Sequence, residues 1–119
     1  MDKQIEHVRT FHEVYEVPLL NEPGMPSKDR QGLRHSLLSE ELQEYKEACE
    51  KNDIVEVADS LVDLAYILFG TVLEHGLDKH FEAMFEEVQR SNMSKLDENG
   101  MPIKREDGKV LKGPNFFLP

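Results

Sequence analysis

The sequence predicts an all-α fold with a short C-terminal arm, and three observations carry that prediction. Apolar residues recur at helical spacing in four successive stretches. Prolines, glycines and capping residues separate those stretches. Between Glu40 and Leu73 the acidic residues also fall at spacings of three and four, which gathers carboxylates on one side of a helix.

Residues 3 to 16 form the first predicted helix, with Ile5, Val8, Phe11, His12 and Tyr15 in the helical period. Pro18, Pro23, Gly24 and Pro26 then make a loop. Ser27 is placed to cap a second helix from about Lys28 to Glu50. Asn52 or Asp53 caps a third, running to about Glu74, and Gly76 stands in the C′ position after it. Asp78 is placed to cap a fourth helix, which carries Phe81, Met84, Phe85 and Val88 on one face and ends near Ser91 and Asn92. Met84 and Phe85 read as core. Beyond it, Asp97-Glu98-Asn99-Gly100 and Glu106-Asp107-Gly108 are turn sequences. Ile103, Val110 and Leu111 lie between and beyond them, which suits a short hairpin or an irregular ordered arm. The ending from Gly113 to Pro119 is too apolar for a free tail and is expected to dock.

At 119 residues the chain reads as a single domain, with a helical core over about residues 3–92 and the arm over 93–119. A net charge of −10 argues against binding duplex nucleic acid through its phosphates, yet it permits a small anionic ligand that arrives with a divalent metal. Cys49 is the only cysteine, so no intramolecular disulfide forms. The N-terminus has no apolar signal-like run. The apolar run from Leu64 to Phe69 is too short and too closely flanked by acids to span a bilayer. The expectation is a cytoplasmic protein with no membrane partner.

The acids form two clusters. Glu40, Glu41 and Glu44 read E-E-x-x-E, and Glu56, Asp59 and Asp63 read E-x-x-D-x-x-x-D. Like charges at these spacings repel, so a purely structural helix gains nothing from them. Advancing each residue by about 100° around the axis places Leu37, Leu38, Leu42, Tyr45, Ala48 and Cys49 on one apolar arc of the second helix. Glu41 falls inside that arc, Glu44 on its edge and Glu40 beyond it. The third helix is apolar around nearly its whole circumference, which predicts a central place in the core. Its acids share one narrow stripe, continued by Gly70 and Glu74. Carboxylates brought against apolar surface are costly unless a cation offsets them. Magnesium or manganese, which take hard oxygen ligands and leave positions open for phosphate oxygens, suit that arrangement. The bland alternative is a pair of solvated, Glu-rich helix faces.

A carboxylate-bridged di-iron bundle needs Glu-x-x-His on two helices, and no histidine here has a Glu three residues before it. H-E-x-x-H, P-loop and G-x-S-x-G motifs are absent as well. Asn92 and Lys95 are candidate base or phosphate contacts, with helix capping the alternative for Asn92. Lys109 and Lys112 are candidate phosphate contacts or simply solubilising lysines. Arg34 either meets phosphate or pairs with a nearby Glu. Phe11, His12 and Tyr15 either stack on a base or belong to the core.

The paired motifs at Glu40, Glu41 and Glu44 and at Glu56 and Asp59 resemble those of the all-α nucleotide pyrophosphohydrolases. These include MazG-like proteins, dimeric dUTPases and phosphoribosyl-ATP pyrophosphohydrolases. The resemblance runs from about Leu33 to Leu96, and the stretches Ser-Asn-Met-Ser-Lys-Leu and Gly-Lys-Val-Leu-Lys-Gly-Pro-Asn extend it to a bacterial and phage branch. It implies a MazG-like bundle of four to five helices completed by oligomerisation, as a homodimer or tetramer. It implies magnesium-dependent cleavage between the α and β phosphates of a nucleoside triphosphate, giving a monophosphate and pyrophosphate. Glu41, Glu44, Glu56 and Asp59 would then be metal ligands, and Glu40 would bind a further metal or help activate the water. Asp63 shares their stripe outside the core motif. Asn92 and Lys95 would contact the nucleotide. The phosphoribosyl-ATP enzymes tend to carry Tyr-His after the second motif, whereas Tyr66 is followed here by Ile67, which lowers the weight of a role in histidine biosynthesis but keeps phosphoribosyl-ATP pyrophosphohydrolase as the alternative, beside a non-catalytic helical module for nucleotide binding or self-association.

Overall fold

A computed structural model describes residues 1–119. It contains four helices, α1 (Asp2–Val14), α2 (Lys28–Glu50), α3 (Ile54–Glu74) and α4 (Phe81–Met93), and two short strands, β1 (Ile103–Lys104) and β2 (Val110–Leu111). The fold is all-α. The chain forms two compact units, Met1–Lys79 and His80–Pro119. No helix is long and apolar enough to cross a membrane.

In the first unit α2 and α3 form an antiparallel hairpin, and α1 packs on α3. Local chemistry sets the boundaries. The Ser27 hydroxyl accepts from the Arg30 N–H at 3.3 Å and opens α2. Asp53 accepts from the Val55 and Glu56 N–H groups and opens α3. Between them Asn52 takes a positive φ of 53°, which turns the chain back on itself. Gly76 ends α3 with φ +66°, and a Cβ there would lie 2.1 Å from the Glu22 carbonyl oxygen. That close approach lets the 17–27 loop strap the end of α3, through Leu20 N–H to Leu73 O at 3.1 Å and Gly24 N–H to His75 O at 3.0 Å.

Three sequence expectations are corrected here. The first helix stops at Val14 rather than at residue 16, because Glu16 adopts φ 57° and the Val17 N–H turns back to His12 O at 2.8 Å. Asp78 does not cap α4; its carboxylate pairs with Arg9, and α4 starts at Phe81 behind His80, which makes no side-chain cap. The third helix is not enclosed either. Its C-terminal end is buried at Val72 and Leu73, but Ile54, Val55, Leu61, Val62 and Leu68 remain exposed. Two neighbouring helices cannot cover an almost fully apolar cylinder, so one face is left open.

In the second unit Ile103 pairs with Leu111 and Lys104 with Val110 in an antiparallel hairpin. The chain end docks as expected: Ser91 Oγ donates to Phe117 O at 2.8 Å, Phe117 N–H donates to Ser94 Oγ at 3.1 Å, and Arg90 lies 4.4 Å over the Phe117 ring. Met84 and Phe85 are exposed, contrary to their reading as core. Asn92 lies inside α4, and the C-cap is Ser94.

Candidate active site

The α2–α3 hairpin is a ladder whose rungs change chemistry along its length. Nearest the turn, Lys51 Nζ pairs with Glu56 at 3.4 Å, both side chains largely exposed. A cavity of about 250 Å³ follows, lined by Glu44, Glu47, Lys51, Glu56, Asp59 and Ser60. The next rung brings Glu41 and Glu44 of α2 to Asp63 of α3. One carboxylate oxygen from each of the three lies within 4.8 Å of the others. Glu44 thus belongs both to this triad and to the cavity that holds Glu56 and Asp59.

Glu41 is the most perturbed of these acids. It is half-buried against the hairpin, and its Oε2 is buried with no hydrogen-bond partner. Loss of hydration, the nearby Glu44 carboxyl and the charges of Asp63 and Glu40 push its pKa up to about 6 from an ordinary 4.5. Asp63 is pushed up too, first by burial and then by the charges of Asp59 and Glu44. An orphaned buried carboxylate oxygen among hard oxygen donors, with the only cation of the adjoining cavity paired to Glu56, fits a hard divalent cation.

The far end of the same hairpin has the opposite character. Glu74, on the stripe that carries Glu56, Asp59 and Asp63, is fully buried. Arg30 holds it with two hydrogen bonds of 2.9 Å, and Arg34 Nη1 meets its Oε2 at 3.0 Å. Arg34 also donates to Ile67 O at 2.7 Å and to Thr71 Oγ1 at 3.1 Å. Of the two roles the sequence left open for Arg34, the structure gives it the pairing role. Gly70 makes the arrangement possible: a Cβ there would lie 2.5 Å from Arg34 Nη2 and 2.9 Å from His12 Nε2.

Glu40 is exposed on α2 and faces Glu41 electrostatically, outside the triad. In the second unit, Asn92 and Lys95 line a cavity of about 390 Å³ with Met93, Leu96, Pro102 and Val110. Lys109 is exposed next to the Glu106–Gly108 turn, and Lys112 Nζ lies 4.8 Å over the Phe116 ring. Sequence reasoning did not single out Glu47, Lys51 and Ser60 on the acidic cavity, nor the Arg30–Glu74 pair. For Lys51 the signal was present, since Glu47 precedes it by four residues on α2.

A family model for phosphoribosyl-ATP pyrophosphohydrolase matches residues 8–92, from within α1 into the last turn of α4, and takes in both acidic motifs. The chain belongs to the phosphoribosyl-ATP pyrophosphohydrolase family. This family is part of the MazG-like all-α pyrophosphohydrolases, and its members are hydrolases acting on phosphoric anhydrides. No curated protein matches the chain. As a phosphoribosyl-ATP pyrophosphohydrolase family member the protein is a nucleotide pyrophosphohydrolase.

Proposed function

We propose that the protein hydrolyses a nucleoside or deoxynucleoside triphosphate between its α and β phosphates, with magnesium, to give the monophosphate and pyrophosphate. The observation that carries the reading is the Glu41–Glu44–Asp63 triad with its orphaned Glu41 oxygen, continuous through Glu44 with Glu56 and Asp59. Glu41, Glu44, Glu56 and Asp59 hold the ion in this reading, and Asp63 joins them. Bound magnesium, or manganese, supplies positive charge for the phosphate oxygens and makes a water more acidic. Glu40 takes the proton of the attacking water. The water oxygen bonds to the α phosphorus as the bond from that phosphorus to the bridging oxygen breaks, and pyrophosphate leaves with the electron pair.

The family match favours a second substrate, phosphoribosyl-ATP, cleaved at the same bond. The exposed apolar residues of α3 support a second copy of the chain as the cover for that face, in a homodimer or a larger assembly. The test uses purified protein with a panel of nucleoside triphosphates, dUTP and phosphoribosyl-ATP, with and without magnesium. Monophosphate and pyrophosphate are assayed together, and light scattering gives the mass. Metal-dependent release of both products at different rates ranks the substrates. No pyrophosphate from any of them sinks the reading.

A further inference from the structure

The family match stops at Asn92, in the last turn of α4, and the segment that follows comes back to that turn. From Leu96 the chain runs out through β1, returns through β2 and meets its own starting point at Gly113. A Cβ on Gly113 would lie 1.9 Å from Leu96 O and 2.7 Å from Lys95 O, so only a residue without a side chain lets the two backbones touch there. Pro114 and Asn115 then turn the chain, with Phe116 N–H donating to Gly113 O at 3.2 Å, and bring Phe117 to α4.

Phe117 is held there by both of its backbone groups. The buried Ser91 hydroxyl donates to Phe117 O at 2.8 Å. Ser94 Oγ accepts from Phe117 N–H at 3.1 Å and gives its own hydrogen to Ser91 O. The Arg90 guanidinium lies over the Phe117 ring. Ser91 and Ser94 are three residues apart on α4 and so share a face. Asn92 and Lys95 share the next one, and both line the cavity of about 390 Å³ together with Pro102 and Val110 of the arm. The arm therefore takes hold of the turn through its serines and leaves the Asn92 and Lys95 side chains on the cavity.

Lys95 is the one lysine of the chain that is not exposed, and it makes no ion pair although the net charge is −10. A half-buried ammonium with no carboxylate beside it favours an anion. A carboxamide next to it adds a donor for the same oxygens. We infer that the segment from Gly113 to Phe117 is a clasp that fixes the turn at the end of α4, and that Ser91, Ser94 and Gly113 are positioning residues which hold Asn92 and Lys95 ready for phosphate oxygens. Ordering the turn in advance removes a cost that binding would otherwise carry. That the phosphate belongs to a nucleotide rests on the pyrophosphohydrolase reading; the clasp itself does not.

The probes are pyrophosphate and a nucleoside triphosphate with an imido bridge between its α and β phosphorus atoms, which cannot be cleaved there. Each is titrated in EDTA into the full chain and followed by NMR of the backbone amides and the Lys95 side chain. Both should shift Asn92 and Lys95, and tighter binding of the triphosphate assigns the phosphate to a nucleotide rather than to the free anion. Affinity should fall roughly tenfold in Lys95→Ala, in Gly113→Ala and in the Ser91→Ala, Ser94→Ala double variant, since two side chains must then be ordered as the ligand arrives. Ser94→Thr keeps the hydroxyl and should bind as the wild type does. If the double variant loses α4 by circular dichroism, Ser94→Val, at a half-buried position, makes the same comparison. Turnover separates positioning from loss of structure: the clasp variants should raise KM by about tenfold with kcat changed less than about twofold, whereas a less folded protein loses kcat at an unchanged KM. No shift at Asn92 and Lys95 in the wild type, wild-type affinity in Lys95→Ala, or wild-type affinity in Gly113→Ala and the serine variants overturns the inference. Binding through Lys95 without hydrolysis of any nucleotide would sink the catalytic reading and leave the clasp standing.

Discussion

The two ends of the α2–α3 hairpin carry the same kind of residue in opposite states. Near the turn, Glu41, Glu44 and Asp63 converge with no cation among them, and Glu41 keeps a buried oxygen without a partner. At the far end Glu74, on the same α3 stripe, is more deeply buried yet fully satisfied by Arg30 and Arg34. Burial alone does not distinguish a ligand-binding acid from a structural one. The supply of counter-charge does: where arginines arrive, a carboxylate locks two helices together, and where only acids arrive the site is left demanding a cation.

The largest expected effect is on turnover. Glu41→Gln and Asp59→Asn should each abolish pyrophosphate release while circular dichroism still shows a folded helical protein. Near-wild-type rates in both would erase the difference between the two ends. Glu74→Gln should do the reverse. It leaves two arginines without their buried carboxylate, so chemical denaturation should show a loss of about 3–5 kcal/mol. A loss below about 1 kcal/mol would mean the trio adds no more than a surface pair.

Acidity gives a smaller and more diagnostic effect. Glu41 rises from 4.5 to about 6 on folding, so the folded state holds the proton more tightly than the unfolded one. Its contribution to stability without metal is complete below about 4.5 and is lost as pH rises through about 6. Asp63 shifts in the same direction. If magnesium occupies the site it competes with that proton, so a rise in melting temperature on adding magnesium should grow between pH 5 and pH 7 and be absent in Glu41→Gln. A magnesium effect that does not change with pH, or that survives in the variant, places the ion elsewhere. Relief of repulsion should also stabilise the metal-free variant slightly, by about a few tenths of a kcal/mol, read as a small rise in melting temperature. Smallest of all, Lys51→Ala should cost stability about 0–1 kcal/mol, since its pair with Glu56 is exposed. Lys109→Ala and Lys112→Ala should reduce turnover less than any carboxylate change.

Much of the fold was legible because its signals are local. Ser27, Asp53 and Gly76 act within one turn of their own position, so the bounds of α2 and α3 could be read from sequence. Asp78 misled because its partner, Arg9, is remote in sequence and outcompetes a cap. Met84 and Phe85 misled because periodicity shows that a face is apolar and says nothing about whether anything covers it. The same limit applies to α3, whose composition demands burial that one chain does not supply.

By itself, then, the sequence determined four helices, the ends of α2 and α3, and the placing of acids at helical spacing on both hairpin helices, because periodicity and capping are properties of neighbouring residues. Only the tertiary structure decided which acids meet. It joined Asp63 to Glu41 and Glu44, and it gave Glu74 to Arg30 and Arg34. These are contacts between helices, fixed by the register in which the hairpin packs, and no spacing along a single helix encodes that register.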